Sequence, residues 1–218
     1  MISEQEYLRI KEWITGDYHN INKLLSNELY LEKEDYNYIV FRILTNLRWV
    51  CKYANMDLIE DEDLIKSIVK ETPDIIRYLK QTEELCLLAM ESTEYKPWQL
   101  FRYSIKPESQ TEKICLYAVS RQGMVLNKVV NQTDEICLAA VKQSGLALRY
   151  VKNKTEEICI AAINQNPEAI KHIENVTPNI YIGCAANKVK ELHKYIENDD
   201  QLVKLEETIA RMILAMKK

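Results

Sequence analysis

The chain has 218 residues and carries 29 Lys+Arg against 33 Asp+Glu, a formal net charge of −4. That balance argues against a general nucleic-acid binder, which carries a basic patch or a high pI. Four glycines and five prolines are too few for a loop-rich or β-turn-rich fold, and no apolar run reaches the roughly 18 residues of a membrane span.

The start, MISEQEYLRIKEW, is charged and amphipathic and has no secretory apolar stretch. It points to the cytoplasm of the producing or infected cell. Glu4 to Trp13 has a helical pattern that Gly16 breaks. Ile21 to Leu31 reads as a second helix. Glu34 to Ala54 reads as a longer one, with Tyr38, Phe41, Leu44 and Val50 as its core candidates. Residues 1–60 show no repeat and are expected to form an N-terminal helical cap or subdomain.

From Asp61 a repeat sets in. Thr111, Thr133, Thr155 and Thr177 follow one another at intervals of 22 residues. A constant short period means one small unit stacked on copies of itself. Each unit reads as a helical hairpin. In the central one, Thr133 is an N-cap candidate and Asp134 and Glu135 place negative charge at the positive end of the helix dipole. Ile136 to Val141 is apolar throughout, so the first helix should be buried on most sides. Ser144-Gly145 ends it, as Asn166-Pro167 does one unit on, where proline suits the first position of a second helix. That second helix buries Ala147, Leu148 and Val151. Val125, Leu126 and Val129 match them in the unit before, and Ala169, Ile170 and Ile173 in the unit after. Lys152 and Asn153 close the unit, with Asn as a left-handed C-terminal cap. An isolated hairpin cannot bury its first helix, so neighbours must supply the burial.

The unit at Thr82 takes 29 residues to reach Thr111, and its excess contains Glu94 to Trp98, expected to loop out. A last unit opens at Thr177-Pro178 and runs to about Asn198. Asp199-Asp200 then caps a final helix, Gln201 to Lys217, with Leu202, Leu205, Ile209, Met212, Ile213 and Met216 as its stripe. The expected organisation is a cap over 1–60, an array over 61–198 and a capping helix over 199–218. The fold class is all-α, an α-solenoid of about six 21–29-residue helical hairpins with helical caps, curved and right-handed by analogy with other helical repeats.

Cys86, Cys115, Cys137 and Cys159 hold one equivalent position, Cys184 lies one turn away from it, and Cys51 is outside the array. Packed helices are about 8–10 Å apart, beyond the roughly 7 Å Cα limit of a disulfide. Buried, inert thiols are expected, not a zinc or redox ladder. The sequons at Asn131, Asn153 and Asn175 are explained by asparagine ending one helix and threonine starting the next.

The phrase T-[DE]-E-I-C-[LI]-A-A-[VI], an asparagine-containing turn and a short helix before the next threonine together resemble the domain-of-unknown-function family 4116. The likeness is close over Thr111 to Thr177, fair over Asp61 to Gln110 and Thr177 to Asn198, and absent elsewhere. The long unit at Thr82 and Pro178-Asn179 in place of the acidic pair depart from the pattern. The resemblance implies a fold and no catalytic residues. It also implies the company of viral, phage-borne or host-manipulating proteins, hence an anti-CRISPR-like inhibitor of a host defence nuclease as one specific expectation.

No Gly-rich phosphate loop, H-E-x-x-H, paired-cysteine motif or G-x-S-x-G occurs, so no catalytic residue, metal or cofactor is expected. Tyr78, Tyr103, Lys128, Tyr150 and His172 share one repeat column and form a candidate recognition row of the aromatic and basic kind that hot spots favour. The bland alternative is tyrosines sealing repeat junctions. Trp98, with Tyr95 and Phe101, is a candidate interface anchor, against an inserted segment that folds back and buries it. The leading expectation is a non-enzymatic protein binder. The alternative is a nucleic-acid-binding repeat in which Lys128, Arg149 and Lys171 line a track beside Tyr150.

Overall fold

A computed structural model describes residues 2–92, 97–184, 203–204, 207–208 and 211. The described residues are helical with no strand, and they fall into two compact units, Met1–Ser109 and Gln110–Lys218.

The first unit begins with α1 (Glu4–Gly16), α2 (Asn20–Leu25) and α3 (Lys33–Asn46). Ser3 and Glu6 form a capping box at the start of α1, which satisfies two orphan donors reciprocally. Arg42 of α3 reaches back to α1. Its guanidinium pairs with Glu4 at 2.6 Å and lies 3.8 Å from the Tyr7 ring centroid. The second expected helix is shorter than its apolar pattern. Asn27 and Tyr30 adopt positive φ, and the Asn27 side chain both donates to and accepts from the Leu31 backbone. This local bonding competes with helix continuation.

The long helix expected from Glu34 ends at Asn46 and gives way to 3-10 helices η1 (Arg48–Lys52) and η2 (Met56–Leu58). The buried stripe of α3 is Ile39, Val40, Ile43 and Leu44. Leu44 and Val50 are core, Phe41 is half-buried, and Tyr38 is exposed, its hydroxyl accepting from Arg42. Next come α4 (Glu62–Glu71), η3 (Pro73–Tyr78), α5 (Glu83–Glu91), α6 (Pro97–Tyr103) and η4 (Pro107–Ser109). Of the excursion expected over Glu94 to Trp98, residues 94–96 lie outside the described residues. Pro97 and Trp98 open α6, which takes the place of a 3-10 element in this unit.

The second unit repeats one pattern: α7 (Glu112–Arg121), η5 (Gly123–Lys128), α8 (Asp134–Gln143), η6 (Gly145–Tyr150), α9 (Glu156–Gln165), η7 (Pro167–His172) and α10 (Pro178–Gly183). Helices α7, α8, α9 and α10 pack in succession, as do η5, η6 and η7. Thr111, Thr133, Thr155 and Thr177 each accept the backbone N–H three residues on. Thr133 also donates to Glu112 of the preceding helix at 2.8 Å, and Thr177 to Glu156 at 2.6 Å. One hydroxyl thus caps its own helix and ties it to the previous one. The Thr177 bond, with one from Asn179, holds the Glu156 carboxyl below its usual range.

The second member of the hairpins begun by α7, α8 and α9 is a 3-10 helix, not an α-helix. In six residues, i→i+3 closure makes more backbone bonds than i→i+4 closure and spans more length. It also corrects the cap: Val151 N–H closes on Leu148, and Asn153 is not left-handed. Ala147, Leu148, Val151, Val125, Leu126, Val129, Ala169 and Ile170 are buried, while Ile173 is half-buried. All six cysteines are free and buried. The stripe expected for the final helix lies outside the described residues. Residues 203, 204, 207, 208 and 211 are helical and exposed.

Two glutamine sets join consecutive levels. Gln143 Oε1 accepts the Gly123 N–H at 2.6 Å, and Gln165 Oε1 accepts the Gly145 N–H at 2.5 Å. Both glycines are needed for close approach. A Cβ on Gly123 would lie 2.2 Å from the Ala140 carbonyl oxygen, and one on Gly145 would lie 2.4 Å from that of Ala162. At the third level Pro167 replaces the glycine. It has no N–H to satisfy, and the helix above it, α10, ends at Gly183. The second set lies just before the capping threonines. Gln132 donates to the carbonyls of Leu126 and Tyr150 and accepts from Lys152 N–H. Gln110 bonds Lys128 and Val130 in the same way, and in the first unit Gln81 bonds Ile76, Ser104 and Lys106.

Candidate functional site

In the first unit, Pro73 starts η3 at a helix's first position, and Pro73, Ile75 and Ile76 are buried. Burying that side leaves Arg77 and Tyr78 exposed and Asp74 half-buried. In α6 the same logic buries Leu100 and Phe101 and leaves Arg102 and Tyr103 exposed. The two elements meet at Arg77, whose Nη2 donates to the buried Ser104 hydroxyl at 3.0 Å and whose Nε donates to the Asp74 carbonyl at 3.2 Å. Arg48 of η1 approaches the Asp74 carboxylate at 3.7 Å, with the two side chains 54% and 46% exposed. Such a loose, wet pair contributes little to stability.

Arg48, Asp74 and Arg77 are shared by two adjoining hollows. One, of about 200 Å³, is bordered by Tyr103 and Ser104. The other, of about 210 Å³, is bordered by Trp49 and Tyr78. Trp49, Tyr78 and Tyr103 are 48%, 39% and 65% exposed. The Trp49 ring meets Tyr53 edge-on at 6.5 Å, and Tyr53 stacks on Tyr18 at 4.0 Å. An aromatic ledge therefore leads to a cleft lined by two guanidiniums and one carboxylate.

Of the residues singled out from sequence, Tyr78 and Tyr103 border this pair of hollows. Lys128, Arg149, Tyr150, Lys171 and His172 belong to the second unit, at the equivalent C-terminal ends of η5, η6 and η7. There the Arg149 guanidinium lies 4.7 Å from the Tyr150 ring centroid. Burial pushes the His172 imidazole below its ordinary value, and the nearby Arg149 and Lys154 cations add to the effect. Lys171 lies 3.4 Å from Glu168. Trp98 is half-buried, Phe101 is fully buried, and Tyr95 lies outside the described residues. Phe101 is therefore part of the core, not of an exposed aromatic cluster.

Sequence reasoning missed Arg48, Trp49 and Tyr53. They lie in the non-repeating segment, where no neighbouring copy marks a column. The adjacent Arg-Trp pair at the end of an apolar helix pattern was the available signal.

A second polar feature has a structural explanation. Asp61 Oδ1 accepts from the N–H groups of Asp63 and Leu64, and its Oδ2 bonds Lys33 and Asn37 of α3. These donors hold its carboxyl at about 2. They pin the start of α4 to α3.

Among the described residues no group of His, Cys, Asp and Glu could hold a metal ion, and no helix is long and apolar enough to cross a membrane. Burial pushes the Cys86, Cys115 and Cys184 thiols up to about 11, which suits packing and not nucleophilic chemistry.

Capped helices, 3-10 partners and cross-level glutamines at a constant period define an all-helical repeat protein. Within it, residues 133–175 match the family described as Domain of unknown function (DUF4116), the family that the repeat phrase resembles. No curated protein and no solved structure matches the chain.

Proposed function

We propose that this is a non-enzymatic helical-repeat protein that binds a protein partner. The observation that carries the reading is the ledge at Arg48, Trp49, Arg77, Tyr78 and Tyr103. Trp, Tyr and Arg are the residue types that dominate binding hot spots, and here they surround hollows instead of filling a core. An inhibitor of a host defence nuclease is one form this function takes. The finer architecture, an α-solenoid of about six hairpins, is supported within residues 110–184 by the successive packing of α7 to α10 and of η5 to η7.

The test is an affinity pull-down from native host extract with mass spectrometry, run in parallel with Tyr78→Ala and Tyr150→Ala. A protein retained by the wild type and lost with Tyr78→Ala supports the ledge. Loss only with Tyr150→Ala moves the interface to the second unit, and retention of no protein removes the binder reading.

A second reading, nucleic-acid binding, draws on Lys128, Arg149 and Lys171 beside Tyr150, with Lys152 and Lys154 also exposed there. Phosphate contacts release counterions, so that reading requires affinity that falls steeply with salt. Electrophoretic mobility shifts over a salt series separate the two.

A further inference from the structure

We propose that the Arg48–Asp74–Arg77 cluster recognises carboxylate side chains of an acidic peptide segment of the partner, with the neighbouring aromatics packing its apolar residues. The inference rests on the protein-binder reading and adds the chemistry of what is bound. Three observations converge on it.

The first is charge. The two hollows share two guanidiniums and one carboxylate, so the cleft carries local positive charge on a chain whose formal net charge is −4. Arg48 makes only a 3.7 Å approach to Asp74, longer than the roughly 2.7–2.9 Å of a charge-assisted hydrogen bond. Its planar fork can still meet a carboxylate two-on-two. Arg77 differs, because its bonds to Ser104 and to the Asp74 carbonyl fix its orientation in advance. One arginine is pre-oriented and the other is available to close on the ligand.

The second is size. Hollows of about 200 and 210 Å³ fall below the roughly 300–1,000 Å³ of small-molecule sites. They suit individual side chains of a longer ligand, one on each side of the Arg48–Asp74 pair.

The third is what Asp74 excludes. A carboxylate at the divide repels a continuous phosphodiester backbone. It costs a discrete carboxylate much less, because Arg48 can turn from Asp74 to the incoming group. Asp74 therefore acts as an internal competitor for Arg48.

That competition gives the test. The probe is a fluorescein-labelled synthetic peptide of alternating glutamate and leucine, followed by fluorescence anisotropy on the full chain. The controls are a lysine–leucine peptide and a labelled single-stranded oligonucleotide. The glutamate peptide should bind and the lysine peptide should not. Arg48→Gln should weaken binding by about tenfold, the loss of one charge-assisted pair. Asp74→Asn should strengthen it several-fold without gaining the lysine–leucine peptide, whereas a misfolded variant with exposed apolar surface would take up both leucine-rich peptides. Circular dichroism melts accompany both variants.

Absence of glutamate-peptide binding, or weaker binding with Asp74→Asn, overturns the proposal. Preferential binding of the oligonucleotide also overturns it and favours the nucleic-acid reading. If a protein is still captured in a Tyr78-dependent manner while the acidic peptide fails, the binder reading stands and only this assignment of chemistry falls.

Discussion

The side-chain oxygen of Gln143 accepts the backbone N–H of Gly123 at 2.6 Å, across 20 residues of sequence. Gly123 is buried, so no ordinary solvent contact replaces that acceptor. Gln143→Leu should destabilise the protein by about 1–3 kcal/mol, the cost of a stranded buried donor. Gln165→Leu should do the same through Gly145. Chemical denaturation checks both, and unchanged midpoints would mean that the bonds add nothing.

Glycine at position 145 answers to a steric limit. Its added Cβ would meet the Ala162 carbonyl oxygen, which is backbone and cannot rotate away. Gly145→Ala should therefore lower stability by about 1–3 kcal/mol or more. Gly16→Ala is the control: no atom lies within 4 Å of the new methyl group. The control should be neutral or stabilise by up to about 1 kcal/mol. Equal melting shifts for the two would refute the close-approach argument.

Leu148 is 0% exposed in η6. Leu148→Ala should cost about 2–5 kcal/mol, as core truncations do. A denaturation midpoint that does not move would show that the 3-10 elements carry no core.

Much of the second unit was legible from sequence, for a physical reason. A repeated apolar pattern with a repeated cap is the same folding problem posed several times, so Thr133, Cys137 and Leu148 each had sister positions to confirm them. The glutamines were harder to read. Gln132 and Gln143 look like ordinary surface residues because their partners are backbone groups of another level, which side-chain pattern does not reveal. The 3-10 character was hidden for a similar reason: burial at Ala147, Leu148 and Val151 suits either helix type over one or two turns. In the first unit, Tyr38 was read as core because aromatics fit an apolar stripe, whereas the Arg42 guanidinium draws it to the surface. Arg48 and Trp49 had no copies to compare.

The thiols give a chemical check. With Cys86 and Cys115 pushed up to about 11 by burial, almost no thiolate is present at pH 8, and alkylating reagents have little access. Iodoacetamide should label the native cysteines slowly and all six rapidly in denaturant, as read by intact mass. Prompt labelling of Cys86 or Cys115 in the native protein would contradict their packing.

Asp61 predicts an acid limb. Its folded value, about 2, lies below the ordinary 3.8, so the unfolded chain binds the proton more readily. The stabilisation is fully present above 3.8 and is lost as the pH falls toward about 2. Melting temperatures of Asp61→Asn and wild type should converge across that window. A gap that stays constant down to pH 2 would assign the effect of Asp61 to something other than its charge.

The pairing of Gly123 with Gln143, and of Gly145 with Gln165, gives the molecule a direction in time as well as in space. During synthesis the tiers of Gly123 and Gly145 each emerge with an N–H that water must meet until the tier made next brings its glutamine, so neither is complete before its successor exists. Proline at 167 has no such group, and the dependence stops there.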